Sequence, residues 1–196
     1  MHVNIPRFQV RGPKGGLLTR SVTAARLAEL LPAWIRRWKT VTVEPSSPAP
    51  PPPPTPRQLI VRLCQWAIAH QAEIHYAQTR PIPLRVPGEL PKLPLTTDCS
   101  GFATIAYRYA GALDPNGLAY NGAGYTGSML EQARKRGTVV PVGSVRPGDL
   151  AFFGVKSDPT GHHVGVVIAV REKTHAGVQL ASHGSESGPL EISAAE

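Results

Sequence analysis

At 196 residues the chain is long enough for one globular domain plus accessory sequence, and its 41% hydrophobic residues can pack a core in part of it. Its 21 prolines and 19 glycines exclude a uniformly regular fold and call for linker or loop. The net charge of +8 is uneven: residues 1–44 carry eight basic and two acidic residues, so the basicity belongs to an N-terminal arm, either a solvated tail or a surface for anionic wall polymer, phospholipid headgroups or nucleic acid.

Within that arm, Ser21 is placed to cap a helix over VTAARLAELL, with Leu27, Leu30, Leu31, Trp34 and Trp38 at helical spacing. Pro32 interrupts the pattern, which predicts two short helices or one kink. The segment Trp34–Lys39 mixes aromatic and basic residues, as an interfacial or docking surface does; a small helical cap on a main domain has the same composition. Residues 45–56 hold eight prolines in 12 positions, which predicts a stiff polyproline II spacer.

After the spacer, Arg57 to about Gln78 reads as a helix, with Leu59, Leu63, Trp66 and His70 along one stripe. Residues 79–97 are a Pro-rich loop. A second helix is expected from near Ser100 to about Ala110, followed by a Gly-rich loop over residues 111–128. The last third holds short β-branched or aromatic runs at Asp149–Phe153, His163–Val170 and Val178–His183. Helices first and antiparallel strands afterwards make an α+β pattern, with domains expected at 1–44 (arm), 45–56 (linker) and 57–196.

Two cysteines, Cys64 and Cys99, are too few for a disulfide framework, although a single bridge between them is conceivable. The first ten residues lack a signal-peptide pattern, and no apolar run is long enough to span a membrane. The expectation is synthesis in the cytoplasm, with delivery by other means if the protein acts outside the cell.

Cys99 stands in Asp98-Cys99-Ser100-Gly101-Phe102, at the expected first turn of the second helix. The positive end of the helix macrodipole and its unpaired amides favour a thiolate, and the same amides suit a developing oxyanion. Gly101 is expected to leave space for substrate to approach the backbone. A small buried hydrophobe is the competing role for this cysteine. A thiol nucleophile needs an imidazole to take its proton. His162 and His163 open an apolar strand, and neighbours on a strand point to opposite faces, so only one can face a cleft. His183 lies on the next strand, where a hairpin would bring it beside the base. A zinc site from Cys99 and histidines is the alternative, without CxxC or HxxxH spacing to support it.

Asp98–Phe102, Arg146–Phe153 and His163–Val167 resemble, in order, the three signature blocks of NlpC/P60 peptidases, and the resemblance covers roughly residues 57–190. It implies a papain-like α+β fold and a Cys-His-His triad that cleaves peptidoglycan stem peptides, typically between D-glutamate and the diamino acid, without a cofactor or metal. By position it makes Cys99 the nucleophile, His163 the base, since it directly precedes the Val-Gly pair, and His183 the third member. It also implies that Asp98, with Ser100 beside it, holds the substrate's amino end, and that Tyr76 lies near the oxyanion. The separation of His163 from His183, 20 positions, is longer than is common in the family, with Glu172–Gly177 as the expected inserted turn. The segment from Asp114–Gly117 through Tyr125–Gly127, together with Ser182–Glu186, resembles the version found in actinobacteriophage lysins and virion-associated wall hydrolases. That likeness implies release by a holin or carriage in the virion. The arm's expected partners are then anionic wall polymer, a membrane surface or a virion protein, and no specific nucleic acid.

Overall fold

The structure is a computed structural model that describes residues 7–11, 14, 17–38, 42–45, 51–155, 158–184 and 188–195. Lys39 of the aromatic–basic segment, residues 46–50 of the expected spacer, and Ser185 and Glu186 lie outside the described residues. The chain divides into two compact units, Met1–Pro52 and Pro53–Glu196.

The first unit is more than a helical arm. Strands β1 (Arg7–Arg11), β2 (Leu17–Thr23) and β3 (Thr42–Pro45) form an antiparallel sheet in the order β2-β1-β3, and helix α1 (Ala24–Trp38) packs on β1 and β2. Val10 is fully buried in this sheet, and Leu27, Leu30, Leu31 and Trp34 are half-buried on the helix. The helix runs through Pro32 as one element. Pro45, expected in the spacer, closes β3 as the partner of Phe8.

The second unit begins with α2 (Pro56–Ala69). Thr55 accepts from the Gln58 amide and Gln58 returns a bond to the Thr55 amide, a reciprocal capping box with Pro56 at the first helical position. The helix stops well short of Gln78. His70 Nδ1 donates to the Trp66 carbonyl at 2.7 Å, and the ring stacks on Trp66 at 4.7 Å. A 3-10 turn, Gln71–Glu73, then leads into β4 (Ile74–Tyr76), which pairs in parallel with β5 (Leu95–Thr97). Next come α3 (Cys99–Tyr109) and a helix the sequence reading lacked, α4 (Thr126–Lys135). Strands β6 (Leu150–Val155), β7 (Asp158–Val170), β8 (Val178–Ser182) and β9 (Leu190–Ser193) complete an antiparallel sheet in sequence order. The turn between β7 and β8 occupies residues 171–177, where the insertion was expected.

This sheet has two apolar faces. Val164, Val166, Ile168 and Ala181 pack with Ile60, Leu63 and Ala67 of α2 and with Phe102, Ala103 and Ala106 of α3. Val167, Val178 and Leu180 face the other way, against Val142, Val145, Phe153 and Ile192. The β alternation that fills both cores therefore fixes which side of the sheet each β7 residue serves.

Candidate active site

Cys99 is the first residue of α3, 6% exposed. Asp98 is the N-cap, and its Oδ1 accepts from the Gly101 amide at 2.6 Å. The cap takes up one free amide of the first turn and leaves the sulfur at the positive end of the helix. Parallel pairing of Tyr76 with Thr97 sets β4 directly beside the strand that delivers the nucleophile. Thr126, the first residue of α4, brings its Oγ1 to 3.6 Å from Sγ.

The loop before α4 is built around one carboxylate. Asp114 is buried and accepts from the amides of Asn116, Leu118 and Tyr120. Asn116 donates to Thr104 Oγ1 of α3 and accepts from Ser128 of α4. The loop thereby joins the two helices and holds Thr126 at the sulfur.

Asp98 and Ser100, expected to hold the substrate's amino end, are turned inward. Ser100 Oγ donates to Asp98 Oδ1 at 2.9 Å, and Arg80 bonds both residues. Gly101 does not leave an opening: it is buried, and a β-carbon there would collide with the Thr97 hydroxyl. Its smallness serves the packing of α3 on β5.

The histidines divide between the faces. His183, just after β8, is fully buried, edge-on to Tyr76 (5.5 Å between centroids) and to Phe102 of α3 (6.1 Å). It stands with Cys99 and Tyr76 on the helix side. His163 pairs with Phe153 across the β6–β7 ladder, while Val164 pairs with Phe152. Its ring lies 6.0 Å from that of Phe153, and its Nε2 is 2.8 Å from Ser182 Oγ. By register and alternation, His163 shares its side of the sheet with Phe153 and Ser182. His162, one position earlier and exposed, falls by the same alternation on the helix side. The structure gathers Tyr76, Asp98, Cys99, Ser100 and His183 around the start of α3, while His163 contacts Ser182 and Phe153.

Arg80, Thr126, Ser182 and the Asp114 loop escaped the sequence reading, because each acts through tertiary contacts rather than a local pattern. A cleft of about 760 Å³ opens along edge strand β6, lined by Tyr107, Met129, Phe152, Phe153 and His175 among others, but by none of the expected site residues. Chemistry follows the nucleophile, so the helix end and not this cleft is the candidate site. Cys64, the other thiol, is buried in α2 and burial pushes its ionisation far up, so it stays a neutral core residue.

Residues 84–192, more than half of the chain, match the family model described as NlpC/P60 family. The match begins after α2 and Tyr76, later than the resemblance in sequence implied. No curated protein and no solved structure matches the chain.

Proposed function

Since the chain belongs to the NlpC/P60 family, whose members are cysteine peptidases acting on peptidoglycan, we propose that it hydrolyses an amide bond in cell-wall stem peptides, between D-glutamate and the diamino acid, with Cys99 as nucleophile. The observation that carries this reading is the seat of Cys99: it opens a helix capped by Asp98, with the Thr126 hydroxyl at its sulfur. The Cys99 thiol passes its proton to the imidazole as Sγ attacks the scissile carbonyl carbon, and free α3 amides stabilise the oxyanion. The imidazolium gives its proton to the leaving amine as the C–N bond breaks. Water, deprotonated by the same imidazole, then opens the thioester and restores the thiol.

In this reading His163 is the base and Ser182 steadies its Nε2, leaving Nδ1 for the sulfur, with His183 behind the helix end. Incubation with purified sacculi tests the whole: the wild type should release new amino groups, and fragment masses should mark the bond cut. His163→Ala should slow release by about 10²–10⁴-fold; if His162→Ala does so instead, the exposed neighbour is the base. Full lysis by folded Cys99→Ala protein would overturn the reading.

The engagement of His163 with Ser182 and Phe153 favours one second reading, a wall-binding or virion structural module on the same fold. It predicts retention on sacculi with no new amino groups. The finer setting we propose is a phage lysin or virion component, reaching the wall through a holin or with the particle, on the likeness of the Asp114–Gly117 and Tyr125–Gly127 segments. In that setting the basic first unit serves as an anchor for anionic wall polymer, with a membrane surface or virion protein as the other candidates.

A further inference from the structure

Arg80 belongs to the Pro-rich loop, yet its guanidinium ends at the cap of the nucleophile's helix. Its Nη2 donates to Asp98 Oδ2 at 3.0 Å and to Ser100 Oγ at 2.8 Å. Its Nε donates to the Gly124 carbonyl and its Nη1 to the Thr79 carbonyl, both at 2.8 Å. The two carbonyls fix the planar fork, so the charge is held in place rather than swinging in solvent.

Its position answers an electrostatic conflict. A carboxylate caps α3 well, but it sets a negative charge one residue from a sulfur that must itself become negative. The Asp98 side chain is 7% exposed, so water screens that repulsion poorly. Among the described residues, the titratable groups that the contacts place near the helix end are Tyr76 on β4, Cys64 on α2 and His183 after β8; the first turn of α4, Thr126–Met129, carries none. The permanent cation bonded to Asp98 is Arg80.

We propose that Arg80 is a positioning residue for the nucleophile: it neutralises the N-cap carboxylate, so that Asp98 can cap α3 without suppressing the Cys99 thiolate. The proposal rests on Cys99 being the reactive thiol, but its readout is alkylation rather than peptide cleavage, so it can fail while the peptidase reading stands, and the reverse.

The experiment measures alkylation of the full chain by iodoacetamide at pH 7, read at the Cys99 peptide by mass spectrometry. The sulfur forms a bond to the acetamide carbon, iodide leaves, and the thiol proton goes to buffer. Arg80→Gln should slow Cys99 labelling about tenfold. In an Asp98→Asn background, where the cap is neutral, the same change should cost less than about twofold, since no charge is left to offset. Arg80→Lys, which keeps the charge and loses the fork, should stay within about threefold of wild type. Wild-type labelling of Arg80→Gln, or an equal loss in both backgrounds, overturns the proposal, because a purely structural contact would not depend on the Asp98 charge. Circular dichroism checks folding; if Arg80→Gln does not fold, a tenfold loss in folded Arg80→Lys overturns it instead.

Discussion

A methyl group added at Gly101 would meet the Thr97 hydroxyl, so the first turn of α3 has no slack around the nucleophile. Gly101→Ala should destabilise the protein by about 1–3 kcal/mol, and Thr97→Ala in the same chain should recover part of that loss in thermal unfolding. The two thiols should also separate cleanly. Cys64 is wholly buried and its ionisation is pushed up, whereas Cys99 sits at a helix mouth, so native protein should take alkylator at Cys99 and at Cys64 only after denaturation. At this scale the sequence was most informative where a residue's role is local. Cys99 at the first turn was legible, because the helix dipole acts within one turn; Asp98, read only as a substrate contact, proved to be the cap. Arg80 and Ser182 were not, because their bonds to Asp98 and His163 join loop to helix and strand to strand.

Elements divide the same way. The helix carrying Cys99 was readable from Phe102, Ile105, Ala106, Tyr109 and Leu113 at helical spacing; it forms over Cys99–Tyr109, and Leu113 lies beyond it and is exposed. Helix α4 was not: it follows a Gly-rich run, its N-cap is Tyr125, and Met129 and Leu130 are its buried apolar residues. The helix expected to run to about Gln78 took in Ile74, which is buried but as part of β4, because a helical period cannot distinguish one apolar face from the next element's. The alternation of β7 was clear in sequence, but which face met the helices was not, and that choice decides where His163 points. Two element-level tests follow. Thr55→Ala removes a capping box and should cost α2 about 1 kcal/mol in denaturant unfolding. Asp114→Ala strips the acceptor from three loop amides and should cost about 2–3 kcal/mol, with a loss of activity from the displacement of Thr126.

At the scale of the molecule, the two compact units make separable predictions. A protein begun at Pro53 should keep the fold of the second unit and its cysteine reactivity. If the basic first unit is the anchor, this shortened protein should lose salt-sensitive retention on sacculi, and measuring retention across an ionic-strength series would show it. The central claim, that Cys99 carries the acyl group during amide hydrolysis, is tested most directly by acid-quenching the enzyme during turnover of a synthetic stem peptide and weighing the intact protein. The account predicts a mass gain equal to the acyl fragment, mapped to Cys99 and absent from Cys99→Ala. Turnover with no adduct on Cys99, or the same adduct in Cys99→Ala, would contradict it.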